Sequence, residues 1–202
     1  MYKAISNSIT NMLIKKNLIP IENKEIYLYG FEIITSSIVY ALIFLISALI
    51  TSTLLSSLVF FVGFYFIRKF CGGFHADTYL KCHIMTAVTH YLAILLILFF
   101  PKTLLLSFSS TSLYCCSLLI FMFAPVDHKN KRFIKNEYRN FKVKACSYAC
   151  IIIVLITIYL LNKTNLESFN IYLFAFSIGT LSATISMLSA KIINLYERRN
   201  IK

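Results

Sequence analysis

From Ile33 to Ile67 the chain carries no charged side chain. A membrane-spanning helix takes about 20 apolar residues, with about 17 as a lower limit. The run is too long for one ordinary span and just long enough for two tight ones. It therefore reads as a helical hairpin, with its turn in "TSTLLSS", Thr51 to Ser57. Four more apolar stretches follow. They are Ile84 to Phe100, ended by Pro101; Thr103 to Phe123, ended by Pro125; Ala145 to Leu161; and Ile171 to Ala190. With 58% hydrophobic and 14% charged residues, the chain lacks the polar surface to cover a soluble domain of 202 residues. Its mean hydropathy of +0.75 agrees. The expected fold is all-α, a polytopic bundle of about six transmembrane helices.

The distribution of Lys and Arg tests that division. Four precede the first span, three lie between Arg68 and Cys82, seven between Ala124 and Lys144, and four in the C-terminal tail. The intervening turns hold none in the hairpin, Lys102 at Pro101, and Lys163 in "NKTNLESFN". Alternate loops thus carry 18 and 2 basic residues. The positive-inside rule reads this as both termini and the Arg68–His83 break cytoplasmic. It also accounts for the net charge of +12 without a nucleic-acid partner.

A single integral-membrane domain is expected over 1–202. Within it, 1–30 form a cytoplasmic or interfacial segment, 31–190 the bundle, and 191–202 a basic cytoplasmic tail. In the first segment Ile5, Ile9, Met12 and Leu13 recur at helical spacing. Such a stripe suits an amphipathic helix on the inner membrane surface, or one packed against the spans. The N-terminus lacks the order of a cleaved signal peptide, so the spans themselves are expected to drive insertion.

One break gathers reactive side chains: "RKFCGGFHADTYLKCH", Arg68 to His83. Gly72–Gly73 should stop the second hairpin helix near Cys71, because glycine is costly in a helix and tolerates positive φ. Asp77 and Thr78 are good N-caps for the next helix, which puts His75 in the loop and Cys82 near that helix's second turn. A thiolate attacks an acyl carbon, and an imidazolium can protonate the leaving amine, so a Cys–His pair suffices for acyl transfer. On one straight helix residues seven apart are separated by about 10.5 Å, so this pairing requires a bend between His75 and Cys82. Rivals are weaker. Cys71 and His75 would touch only on a helix that the glycines oppose. His83 adjoins Cys82 and points to another face, and His90 lies deeper, where a core histidine is expected. The Cys and His spacing matches no usual zinc pattern, so neither metal nor cofactor is expected. Cys115, Cys116, Cys146 and Cys150 lie in apolar runs and read as packing residues.

The same residues carry a family resemblance. The stretch resembles the signature of the accessory gene regulator B family in Arg68, Gly72, Gly73, His75, Ala76 and Cys82. A second stretch, "APVDHKNK" (Ala124 to Lys131), is similar to the family's loop after the fourth span, though this chain continues with Arg132 where members often have Pro. The resemblance implies a membrane cysteine endopeptidase of bacterial quorum sensing. It implies a short amphipathic propeptide with an acidic C-terminal tail as substrate, Cys82 as nucleophile and His75 as its acid–base partner. The product would be a cyclic thiolactone or lactone. Arg68 would orient substrate or brace the loop, and Gly73 would supply the tight turn. The basic loop with Lys129, Lys131, Arg132 and Lys135 would either dock the acidic tail or simply set topology. A homodimer in the bacterial cell membrane is also suggested. The alternative class is a small transporter or channel whose Cys/His loop senses metal or redox state.

Overall fold

The computed structural model describes residues 2–74, 79–127, 135–162 and 167–200. Among them the helices are α1 (Tyr2–Lys15), α2 (Lys24–Ile50), α3 (Leu54–Cys71), α4 (Tyr79–Phe99), α5 (Leu105–Phe123), α6 (Lys135–Leu161) and α7 (Glu167–Asn200). Six segments, Ile21–Ile50, Leu54–Cys71, Lys81–Phe99, Lys102–Phe123, Glu137–Leu161 and Phe169–Glu197, are long and apolar enough to cross a membrane. The architecture is the expected all-α membrane bundle. Lipid supplies no hydrogen-bond partner, so a crossing chain must satisfy its backbone internally, and a helix does so within one segment.

The hairpin turns at Thr51–Thr53. The Ser52 N–H donates to Leu49 O at 3.1 Å and the Thr53 N–H to Ala48 O at 2.9 Å. These two bonds form a Schellman cap, which closes the last carbonyls of α2 with one residue in the left-handed region. That residue is Ser52, with φ of 54°. Helix α1 ends in the same way at Asn17, where Leu18 N–H reaches Leu13 O at 3.0 Å.

Several helices outrun the apolar stretches that announced them: α2 begins at Lys24, ahead of Ile33 and inside the 1–30 segment expected to precede the bundle, and α4 begins at Tyr79, ahead of Ile84. The fifth span was expected from Ala145, but α6 already begins at Lys135; the sixth was expected to end at Ala190, but α7 continues to Asn200. Polar side chains end an apolar span, yet water solvates them without breaking a helix. Helix α1 packs on α2 through Ser6 and Thr10, both fully buried, and Ser6 Oγ lies 3.4 Å from Thr35 Oγ1. Its apolar Ile5 and Met12 stay exposed. A small-residue face therefore meets the bundle, while Ile9 and Leu13 of the apolar stripe are half-buried.

The tightest helix pair is α3 and α7, which run parallel. A Cβ added at Gly63 would lie 2.6 Å from the Phe176 carbonyl, and one added at Gly179 would run into the Phe60 carbonyl. Absence of both side chains lets the backbones touch, the usual means of close approach where no hydrophobic force distinguishes helix from lipid. Toward the α3 C-terminus, Ile67 and Cys71 pack with Ala145, Ala149, Ala183, Met187 and Ala190 of α6 and α7. Toward its N-terminus, Phe60 packs with Ala93, Ile97, Leu105 and Phe174.

Two substitutions test this account by thermal unfolding in detergent. Gly63→Ala must force the helices apart and should lower stability by about 1–3 kcal/mol. Ser52→Gly relieves the left-handed residue and should raise stability by about 0.5–1 kcal/mol.

Candidate active site

Helix α3 stops at Cys71 because the next two residues leave helical space, Gly72 at φ 76° and Gly73 at φ 137°. The stop turns the chain into a second loop. Gly72 pairs with Val126 in an isolated parallel bridge, and the Val126 N–H donates to the Cys71 carbonyl at 2.9 Å. The two stretches singled out in the sequence, one after α3 and one after α5, therefore meet. Asn194 of α7 donates from Nδ2 to the Asp127 carbonyl at 2.5 Å and ties down the second loop.

Helix α7 also seats the first loop. The Phe74 N–H donates to the Ser186 carbonyl at 3.0 Å, and Arg68 Nη1 donates to Ser186 Oγ at 2.9 Å. Arg68 Nη2 donates to the Phe74 carbonyl. One guanidinium fork thus joins the loop to α7, a geometry that a planar bidentate donor serves and a point charge does not. Gly73 is enclosed by the same groups: a Cβ there would run into Arg68 Nη1 and lie 3.1 Å from Ser186 Oγ. Space and positive φ both demand glycine.

Beside this clamp is a recess of about 60 Å³. Phe64 and Arg68 of α3 form one wall and Ser182 and Ser186 of α7 another. Phe74 closes the loop side, and Cys82, Met85, Thr86 and Thr89 line it from α4. The Cys82 thiol is free and half-buried, and it interacts electrostatically with Arg68. Among the described residues, the two bonds that Arg68 donates go to neutral oxygens, the Ser186 hydroxyl and the Phe74 carbonyl.

His75 lies outside the described residues, as do Ala76, Asp77 and Thr78, and so do Lys129, Lys131 and Arg132; Lys135 opens α6. The other titratable candidates are accounted for. Cys71 is fully buried in the core. His83 turns to α2, with Nε2 3.0 Å from Ser36 Oγ and its ring stacked on Tyr40 at 5.6 Å. His90 is buried against Phe44, with Nε2 3.3 Å from Ser57 Oγ. Cys116 is buried, whereas Cys115 and Cys150 are exposed on spans, so not all four of these cysteines pack internally. Among the described residues no three His, Cys, Asp or Glu side chains gather as a metal site. Sequence reasoning missed Ser186 and Asn194. The one available signal was Ser182 and Ser186, a turn apart in an apolar span, and hydroxyls that satisfy themselves on their own helix look the same. Ser189, for example, donates to Ile185 O.

A multi-pass helical membrane protein with a thiol and a guanidinium at one interhelical recess defines the class. The family follows from the chain as a whole: the accessory gene regulator B model matches residues 6–188, and the protein belongs to that family. Searches of curated proteins and of solved structures returned no match. The family is one of membrane proteins that take part in quorum-sensing propeptide processing.

Loosening the clamp should uncover the thiol. Gly73→Ala and Arg68→Lys should each speed maleimide alkylation of Cys82 in detergent severalfold, measured by mass spectrometry. Unchanged rates in both would show that the clamp does not govern access to the recess.

Proposed function

We propose that this protein is a membrane cysteine endopeptidase that cleaves the C-terminal part of an autoinducer propeptide and promotes cyclisation of the remainder. The observation that carries the reading is the shared recess. Cys82, Arg68 and Phe74, the residue immediately before His75, line one small space. In the reaction the Cys82 sulfur attacks the scissile carbonyl, the C–N bond breaks, and the departing amine takes a proton from the His75 imidazolium. The acyl group is then a thioester on Cys82. A thiol or hydroxyl within the peptide attacks that thioester, closing the ring and returning the Cys82 thiol. The Arg68 charge favours the oxyanion formed at each attack. A recess between helices restricts water, which favours attack by the tethered nucleophile over hydrolysis.

The topology proposed places both termini and the site loop in the cytoplasm. The basic distribution supports it. So does the convergence of the loop after α3, the loop after α5 and the C-terminal part of α7 at one end of the bundle. The basic segment from Lys129 through Lys135 to Lys144 is proposed to dock an acidic propeptide tail, with the active protein a homodimer. No observation in the structure favours the transporter alternative.

The test is co-expression with a short propeptide bearing an internal Cys or Ser and an acidic C-terminal tail. Cys82→Ala and His75→Ala should each reduce cleavage by about 100-fold or more while membrane insertion is retained. Mass spectrometry of the wild-type protein should find an acyl adduct on Cys82. Normal processing by Cys82→Ala would end the proposal.

A further inference from the structure

The recess beside Cys82 has a direction. Cys82, Met85, Thr86 and Thr89 stand at i, i+3, i+4 and i+7, one stripe of α4. The recess therefore extends about 10 Å along the helix, away from the loop and toward the middle of the span. Three of the four hydroxyls among its described lining residues already make a bond within the protein. Thr86 Oγ1 donates to the Cys82 carbonyl at 2.9 Å, Thr89 Oγ1 donates to the Thr86 carbonyl at 2.8 Å, and Ser186 Oγ accepts from Arg68. Beyond Arg68 at its mouth, an occupant meets the apolar surfaces of Phe64 and Met85, the bonded hydroxyls of Thr86 and Thr89, and the Ser182 hydroxyl. A charged side chain would lose water there without an opposite charge to offset the loss.

Size narrows the occupant further. Apolar cavities of about 150 Å³ admit benzene. A recess of about 60 Å³ is less than half of that and suits a short aliphatic side chain. Chemistry then says which part of a peptide enters. The leaving amine becomes a cation and must reach water, whereas the acyl side stays bonded to Cys82.

We propose that this recess is the specificity pocket for the residue whose carbonyl Cys82 attacks, and that it accepts an uncharged side chain of alanine-to-valine size. The proposal rests on Cys82 being the nucleophile. Met85 is the tunable wall: it is half exposed at the rim, so truncating it enlarges the recess without emptying the core. Thr86, one turn on from Cys82, sets the depth.

The test uses three tripeptidyl acyloxymethyl ketones that differ only in ending with Ala, Val or Phe. Each alkylates a thiolate by forming an S–C bond and expelling a carboxylate. The full-length protein in detergent is treated with each, and labelling at Cys82 is followed by mass spectrometry. Ala and Val probes should react about tenfold faster than Phe, at the low end of the discrimination that side-chain size commands in an apolar pocket. Met85→Ala should erase or reverse that preference, and Thr86→Leu should slow the Val probe more than the Ala probe. A structural defect would instead slow all three together. Equal rates in the wild type, or an order unmoved by both variants, would overturn the pocket while leaving the endopeptidase reading intact. Failure of every probe to label Cys82 would overturn both.

Discussion

At Gly63 and Gly179 two helix backbones touch because neither residue has a side chain to hold them apart. In a bilayer, apolar side chains gain little by exchanging lipid for one another, so such close approach is a main source of helix association. The contact also sets register. From it α3 and α7 run parallel, and one to two turns further on they bring Arg68 against Ser186 at 2.9 Å. A shift of either helix by one residue would turn that pair apart, since each step rotates a side chain by about 100°.

The turn after α3 depends on that register for its backbone accounting. Where a chain leaves the helix near a membrane, the freed carbonyls and N–H groups must find partners within the protein. Here the Cys71 carbonyl takes the Val126 N–H, the Phe74 N–H reaches the Ser186 carbonyl, and the Phe74 carbonyl takes a bond from Arg68. Helix α7 is thus more than a sixth span. It seats the loop that leads to His75, and through Asn194 it holds the loop after α5 as well.

Much of the candidate site was legible one residue at a time. The stop at Cys71 follows from two adjacent glycines, a local property. The separation of His83 from Cys82 follows from helix geometry, and the burial of His90 from its depth in an apolar run. Ser186 was not legible. It lies 118 residues from Arg68, and nothing in its neighbourhood separates it from the other hydroxyls of α7. Glycine at 63 and 179 was equally silent, because a missing side chain matters only when another backbone stands opposite. The cysteines of α5 and α6 show the converse. Their apolar setting placed them in spans, but which of them face lipid depends on how the spans rotate.

By itself the sequence determined how many helices cross the membrane, roughly where each apolar span begins and ends, and where the reactive side chains are concentrated. Those properties depend on apolar length, backbone hydrogen bonding and glycine, all of which act within a few residues. Only the tertiary structure decided that the two loop stretches meet at Gly72 and Val126, and that Arg68 is bonded to α7. It also decided that Cys82 shares one recess with Arg68 and Phe74. These depend on the rotation and register of whole helices, which distant pairs of small residues set by letting backbones come together.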